Sequence, residues 1–271
     1  RARRTRRTVL IRAVVFSLEL LTMASRRGQL LDGVLLLDKP QGLSSNHALQ
    51  RAKRTLDARK AGHTGTLDPF ATGLLVCCLG RATKIAGNML AADKAYEATL
   101  LFGEETDSGD LTGNIVSQAG SDFQEVERAR FEAALETFRG EISQIPPMYS
   151  ALKKDGRPLY EYARKGVEIE RPPRQVVIRE LVTRAFDGRQ ATIYVHCSKG
   201  TYIRTLAQDI GRMLGCGAHL VALRRTCVGP FQLQDAVDLD TLQAMPTPQT
   251  ALILPENLPE GLLPSGIKQK G

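Results

Sequence analysis

A single carboxylate stands out in the segment GHTGTLDPFATG, residues 62–73. Asp68 is the only acidic residue there, Pro69 follows it directly, and glycines and threonines surround it. Small residues let the backbone turn tightly and approach a ligand, and proline stiffens the turn. A carboxylate held in this way suits nucleophilic chemistry or the stabilisation of positive charge. The Asp-Pro pair taken alone is more typical of an ordinary turn, so other segments have to decide.

Several other classes of chemistry are disfavoured. The glycine-rich segment lacks the Lys-Ser/Thr ending of a P-loop, and neither the GxGxxG pattern of dinucleotide folds nor the GxSxG elbow of hydrolases occurs. The four histidines show no ligand spacing, and the five cysteines contain no CxxC motif. We therefore expect no cofactor and no metal, with reduced core cysteines in a cytoplasmic protein.

The chain is basic, with a net charge of +8 and a pI near 9.4. A polyanionic partner, nucleic acid first, is favoured, although a solvated basic surface explains the same charge equally well. Part of the charge is local, because residues 1–22 hold six arginines against one glutamate.

The two ends of the chain differ from the middle. Residues 1–22 are interpreted as an N-terminal extension outside the fold, with a transit peptide as the alternative. Residues 23–248 are predicted to form the main domain. Residues 249–271 are proline-rich and are interpreted as a linker or as the truncated start of a further domain. No stretch is long and apolar enough to predict a membrane span.

Hydrophobic periodicity predicts the elements that must hold these residues. Strands are predicted around 33–39, 73–80, 96–102 and 218–231, with a hairpin from 174 to 200 that turns at Asp-Gly-Arg. Helices are predicted at 44–56, 82–94, 121–140 and 201–215, the third with Asp122 as its N-cap and Gly140 as its stop. The order of strands and helices lacks regular βαβ alternation. It therefore predicts an α+β fold with a mixed, mostly antiparallel central sheet flanked by helices and loops.

Six segments together point to a known family. They occur in the order DGVLLLDKPQGLSSN, GHTGTLDPFATGLLVCCLGRATK, DKAYEATLLFGEETDSGD, IPPMYSALKKDGRPLYEYARKG, HCSKGTYIRTLAQDIG and GAHLVALRRT. This chain resembles the TruB family of bacterial tRNA pseudouridine synthases from about residue 32 to residue 242. The resemblance implies a pseudouridine synthase fold. It also implies isomerisation of uridine to pseudouridine in the T loop of tRNA, at position 55, without a cofactor.

The resemblance also implies roles for particular residues. Asp68 matches the catalytic aspartate, and Arg204 matches the arginine that pairs with it. Tyr96 matches the tyrosine that stacks on the target uracil. The remaining matched positions line or approach the base pocket: His63, Tyr202, Leu223, Lys39 and Lys84. The roles of the two lysines are less certain, and a solvated side chain is the alternative for each. Asp110 is a further motif position without an assigned role.

The expected partner is the T arm of tRNA, bound by a monomer. The basic segment from Lys153 to Lys165, with Tyr160 and Tyr162, is predicted to clamp the RNA by phosphate contacts and shape, although a solvated helix face fits the same pattern. A tRNA-folding chaperone that needs no chemistry is the alternative function. A synthase that acts on ribosomal RNA or with a guide RNA is disfavoured by the short chain.

Overall fold

The computed structural model describes residues 28–262. Its six longest strands lie where the sequence predicts strands. In chain order all the strands are β1 (Gly33–Lys39), β2 (Ala61–Thr64), β3 (Thr72–Leu79), β4 (Lys94–Phe102), β5 (Glu104–Thr106), β6 (Ile115–Gln118), β7 (Gly140–Gln144), β8 (Lys153–Lys154), β9 (Arg157–Pro158), β10 (Arg174–Phe186), β11 (Gln190–Cys197), β12 (Ala218–Val228), β13 (Phe231–Gln232) and β14 (Val237–Asp238).

The helices are shorter than the longest strands and lie between them. They are α1 (Ser45–Thr55), α2 (Ala86–Ala91), α3 (Arg128–Thr137), α4 (Leu159–Ala163), α5 (Ile203–Met213) and α6 (Leu239–Ala244). Short 3₁₀ turns accompany them at Gly80–Ile85, Leu233–Asp235, Pro248–Ala251 and Pro255–Asn257. None of the helices within residues 28–262 has the length and hydrophobicity that crossing a membrane requires.

The central sheet has ten strands, eight of which follow the order β14-β1-β3-β12-β4-β11-β10-β7. β13 pairs with β12, and β2 pairs with β3. Only the β1–β14 and β3–β12 pairs of this sheet are parallel. The predicted α+β fold with a mixed, mostly antiparallel sheet is therefore confirmed.

Helices cover the sheet in separate patches. α3 and α5 pack their apolar residues, including Phe131 and Leu206, against β4, β10, β11 and β12. α1 and α6 cover one face of β1 and β3, and the turn from Gly80 with α2 covers the other. β3 is thus buried on both faces, which explains its uninterrupted apolar sequence. Cys77 and Cys78 are both 1% exposed, as predicted for core residues.

Two local predictions were wrong. α3 begins at Arg128 with Glu127 as its N-cap, so Asp122 does not cap it. The residues before it are used in tertiary contacts instead, because Phe123 packs on Gly103 and the Val126 amide donates to the Gly188 carbonyl at 2.8 Å. The loop at residues 62–73 is also shorter than expected, since residues 61–64 form β2.

The predicted N-terminal extension, residues 1–22, lies outside the described residues. Of the segment predicted as a linker or truncated domain, 249–271, the structure describes the part up to residue 262. That part packs against the fold. The Val34 and Ile253 backbones exchange hydrogen bonds of 2.9 and 2.8 Å, and Gln249 donates its side-chain amide to the Leu56 carbonyl at 3.2 Å.

The parallel junction of β3 and β12 depends on a glycine. Arg225 of β12 lies beside Gly73 at the start of β3. A Cβ atom on Gly73 would lie far inside van der Waals distance of the Arg225 backbone, and its φ of 99° is one that L side chains rarely adopt. Glycine is therefore what lets the two strands approach here.

We predict that Gly73→Ala destabilises the protein by on the order of 3 kcal/mol, because strained φ and an overpacked contact add. The measurement is chemical denaturation of the purified variant. Gly62→Ala is the control, since a Cβ atom at that position would have no heavy atom within 4 Å. If both variants unfold at the parental denaturant concentration, the close approach is not a constraint.

Candidate active site

The loop that carries Asp68 connects β2 to β3 and is fixed by buried polar groups. The Ser45 hydroxyl accepts the Leu67 amide at 2.8 Å and donates to the Leu67 carbonyl at 3.0 Å. The Pro69 carbonyl accepts the Gly42 amide at 2.7 Å. These bonds hold the residues on both sides of Asp68, so the start of α1 and the turn before it position the carboxylate.

Lys39 is completely buried at the end of β1. Its ammonium donates to the carbonyls of Pro40 and Leu43 at 2.8 and 2.7 Å, and to that of Pro69 at 3.4 Å. Burial lowers its pKa to about 8, and the nearby Asp68 charge acts in the opposite direction. Lys39 therefore links the turn after β1 to the Asp68 loop through hydrogen bonds.

Arg204 on the first turn of α5 pairs with Asp68. Its Nε lies 3.0 Å from Oδ2 of Asp68, and only 5% of the Arg204 side chain is exposed. The other guanidinium nitrogens donate to the Ser108 carbonyl at 2.9 Å and to the Tyr149 carbonyl at 2.6 Å. The contact with Asp68 therefore uses one nitrogen, because the fork is divided among several acceptors.

A second carboxylate shares Arg204. Oδ2 of Asp110 lies 3.7 Å from its Nη1, and Oδ1 of Asp110 accepts hydrogen bonds from Ser108 and Thr112. Burial raises the pKa of Asp68 above its ordinary value, the Arg204 charge opposes this, and the Asp110 charge adds to it. Because 36% of the Asp68 side chain is exposed, solvent moderates these effects, and the guanidinium limits without cancelling the tendency of this carboxyl to hold a proton.

Asp68 and Arg204 face two cavities. The smaller has a volume of about 320 Å³ and is also lined by Tyr96, Tyr202 and Leu223. The larger, about 620 Å³, extends towards Tyr160 and Arg164 and includes Asp110. The segment Tyr149–Ser150–Ala151 lines both, so it stands where they meet. One face of the carboxylate thus meets an aromatic pocket and the other a broader cleft.

Family models match most of the described chain. The "TruB family pseudouridylate synthase (N terminal domain)" matches residues 53–203, and the "tRNA pseudouridylate synthase B C-terminal domain" matches residues 204–265. The chain belongs to the TruB family. The boundary between the two matches falls inside the first turn of α5, directly before Arg204.

Curated TruB relatives cover most of this sequence. It is 72% identical over 243 residues to tRNA pseudouridine synthase B of Bordetella avium, which accounts for 90% of this chain and the whole of that protein. Identity to the Chromobacterium violaceum protein of the same name is 56%, over 84% of this chain and 74% of the other. The protein is therefore an isomerase that converts uridine to pseudouridine in tRNA.

Solved structures share the TruB fold. A Cbf5–Nop10–Gar1 complex aligns with a TM-score of 0.64 and 29% identity, over 82% of this chain and 60% of the other. An H/ACA RNP bound to a substrate RNA containing 2'-deoxyuridine aligns with a TM-score of 0.58 and 28% identity, over 82% and 54%. The predicted pseudouridine synthase fold is confirmed.

The structure brings together five of the residues that the TruB resemblance selects: Asp68, Arg204, Tyr96, Tyr202 and Leu223. His63 lies on β2, half-buried beside Cys77 of β3, with Nδ1 buried and without a hydrogen-bond partner among residues 28–262. Burial and the Arg225 charge lower its pKa. It does not contribute to the wall of either cavity.

The two lysines do not line the cavities of this TruB enzyme. Lys39 has no exposed surface, so neither direct RNA contact nor the solvated alternative fits its position. Lys84 is exposed in the turn from Gly80 to Ile85, away from both cavity walls, as its solvated alternative describes. Lys39 thus supports the Asp68 loop from inside the protein, and Lys84 lies on the surface.

Sequence reasoning missed Arg225 and Ser45. Arg225 lines the smaller cavity with 1% exposure, and Ser45 is equally buried at the start of α1. Both lie in segments that carry the TruB resemblance, but neither has a residue type or spacing that identifies it. An arginine in a strand is ordinarily solvated, so only the burial of Arg225 distinguishes it.

Among residues 28–262 no cluster of histidine, cysteine or acidic side chains has the geometry of a metal site.

We predict that Ser45→Ala lowers kcat for tRNA pseudouridylation by about tenfold and leaves KM nearly unchanged. The substitution removes two buried hydrogen bonds that hold Leu67 beside Asp68, and small displacements of a reacting group are costly. Steady-state kinetics on tRNA is the measurement.

Ser44→Ala is the matched control. Ser44 caps α1 by accepting the His47 amide at 3.2 Å and lines the larger cavity, but among residues 28–262 its hydroxyl makes no hydrogen bond to the loop. It should reduce stability slightly with little change in kcat. Equal kinetic effects of the two substitutions would contradict a special role for Ser45.

Proposed function

We propose that this enzyme isomerises the uridine at position 55 in the T loop of tRNA, with Asp68 as the essential carboxylate. The observation that carries the proposal is the Asp68–Arg204 pair, with its 3.0 Å contact, at the wall of an aromatic-lined cavity. The family supports pseudouridylation of tRNA in general, and the choice of the T loop is the finer part of the proposal.

The smaller cavity suits a single flipped base. Its volume of about 320 Å³ is at the lower end for ligand pockets, which span roughly 300–1,000 Å³. A base inside an RNA stack cannot reach Asp68, so it must leave the stack at a cost of a few kcal/mol. Stacking on Tyr96 offsets about 1–3 kcal/mol of this cost. Leu223 and Tyr202 supply further walls that exclude water.

The reaction rearranges bonds without a net change in composition. The N1–C1′ glycosidic bond breaks, the uracil turns, a C5–C1′ bond forms, C5 releases its proton and N1 takes one up. An ionised carboxylate can serve as nucleophile or stabilise charge during this exchange. Arg204 favours the ionised form of Asp68 by opposing the effect of burial on its pKa. Tyr96 has a phenol close enough to the pocket to move a proton once the base has turned.

We predict that Asp68→Asn abolishes the release of tritium from tRNA labelled at C5 of uridine, while the tRNA dissociation constant changes by less than about threefold. The amide cannot act as a nucleophile, but it preserves the shape of the loop. Filter binding measures the affinity. Asp122→Asn, at an exposed position, is the control and should keep full activity.

The pH dependence follows from the same residue. Because burial raises the Asp68 pKa, the rate should fall on acidification at a pH above that expected for an ordinary aspartate.

Full activity of Asp68→Asn would refute the proposal. Normal tRNA folding assistance without tritium release by the parent protein would instead favour a chaperone.

The T arm is proposed to lie along the larger cavity and the basic segment beyond it. Lys153 and Lys154 are exposed on β8, and Lys165 is exposed after α4. Tyr160 and Arg164 of this segment form part of the cavity wall, with the guanidinium 5.3 Å from the ring centroid. Charge and exposure therefore continue outward from Asp68, which is the arrangement that phosphate contacts need.

We predict that replacing Lys153, Lys154 and Lys165 with glutamine weakens tRNA binding and flattens its dependence on salt by about two to three ion equivalents. Affinity measured from low to high potassium chloride gives the slope. A second triple variant, with glutamine at Arg128, Arg184 and Arg189, removes the same charge from exposed positions near the distant turn of the β10–β11 hairpin. Identical slopes for the two variants would contradict a clamp at this place.

A further inference from the structure

Arg225 is a buried guanidinium beside the proposed catalytic pocket. It is 1% exposed and lines the same cavity as Asp68 and Tyr96. Within residues 28–262 it takes part in no ion pair. Burying a charge without a counter-charge is unfavourable for stability, so such a group needs another reason to be there.

Backbone carbonyls fix the position of this guanidinium. Its Nε donates to the Leu74 carbonyl at 2.8 Å, and its Nη2 donates to the Gly65 carbonyl at 3.0 Å. Leu74 belongs to β3, and Gly65 begins the loop that carries Asp68. Arg225 therefore spans from the sheet to the loop, and its planar fork has a defined orientation in the cavity.

Tyr96 lies beside Arg225 on the adjacent strand of the sheet. The two residues are register partners in the antiparallel β4–β12 pair. Register partners in an antiparallel pair have Cβ atoms about 4.5–5.5 Å apart on the same face of the sheet, and both side chains line the smaller cavity. Burial raises the pKa of this phenol, and the Arg225 charge opposes the rise.

Arg224 offers a direct comparison in the same strand. It pairs with both carboxylate oxygens of Asp38, at 3.1 and 2.6 Å, and donates to the Thr72 hydroxyl at 3.2 Å. It does not line either cavity. Adjacent arginines thus differ in their partners: Arg224 has a carboxylate, whereas Arg225 has two backbone carbonyls and lies beside a tyrosine.

We infer that Arg225 is a positioning residue for the isomerisation, which holds the Tyr96 hydroxyl and the Gly65 carbonyl in fixed relation to Asp68. This role rests on the proposed function, because Arg225 acts through a tyrosine that is expected to stack on the target base. Its effect is on the reaction step more than on tRNA affinity. In this role the guanidinium fixes the position of the Tyr96 hydroxyl in the pocket. Its positive charge also favours the deprotonated form of the phenol.

Other charged and titratable groups also surround the Tyr96 phenol. They come from the neighbouring strand β11, the Asp68 loop, the start of β4, the start of α5 and the segment before β8: Cys197, Asp68, Lys94, Arg204, Tyr202 and Tyr149. Lys94 is held by the carbonyls of Met89, Leu90 and Ala92 at 3.0, 2.9 and 2.5 Å. Arg204 is committed to Asp68, so Arg225, the register partner of Tyr96, is the guanidinium left to act on the phenol.

The test compares Arg225→Lys with Arg224→Lys in the 271-residue chain. Lysine keeps the charge but cannot reproduce the fork, so Arg225→Lys should lower the single-turnover rate on tRNA by about tenfold, the effect of one lost charged hydrogen bond. The tRNA dissociation constant should stay within about twofold, and Arg224→Lys should leave the rate near the parental value. Thermal denaturation of both variants reports any general loss of structure.

A double-mutant cycle with Tyr96→Phe tests whether Arg225 acts through the phenol. In the Tyr96→Phe background, the Arg225→Lys substitution should have a clearly smaller effect on rate than in the parent, because the hydroxyl is already absent. A smaller effect in that background would show that the two residues act together.

Two results would overturn the inference. They are a parental rate for folded Arg225→Lys and fully additive effects in the cycle. A failure of the proposed function is distinguishable from these results, because the parent protein itself would then leave the T-loop uridine unmodified.

Discussion

The site depends on one ion pair, between Asp68 on the β2–β3 loop and Arg204 on α5. A carboxylate in a pocket that shelters a loose base tends to hold its proton, and the guanidinium counteracts that tendency. Arg204 can do so only because it is itself held, by the carbonyls of Ser108 and Tyr149 and by Asp110. The pair therefore joins four separate stretches of chain, and the cavities lie where they meet.

Two buried arginines divide the work in the proposed mechanism. Arg204 supports the carboxylate from α5, and Arg225 on β12 holds the first carbonyl of the loop and lies beside Tyr96. Gly73 allows the backbone of Arg225 to approach β3 closely at the β3–β12 junction. The sheet thus acts as the rigid base for Arg225 and Tyr96. The basic segment on β8 and α4 lies further out, where Lys153, Lys154 and Lys165 are exposed.

Membership of the TruB family gives these arrangements their chemical meaning. Identity of 72% to tRNA pseudouridine synthase B of Bordetella avium extends over the whole of that protein. The structural similarity to Cbf5-containing complexes, at 29% identity, concerns the same catalytic fold in a different assembly. In this chain the cavity with Asp68 and Arg204 at its wall is the place where the proposed reaction would occur.

The sequence alone indicated the family through its resemblance in six segments. It also determined the α+β class and the strands whose apolar runs are long, because local hydrophobic pattern reports burial directly. It also selected Asp68, Arg204, Tyr96, Tyr202 and Leu223, which the structure gathers at one cavity. It failed at Asp122, where tertiary contacts of Phe123 and Val126 override the helix signal, and at Lys39, whose polarity suggested the surface. Burial of a charged side chain depends on carbonyls contributed by distant segments, as at Lys39 and Arg225. Only the tertiary structure decided those positions, since no local pattern records which carbonyls converge on a side chain.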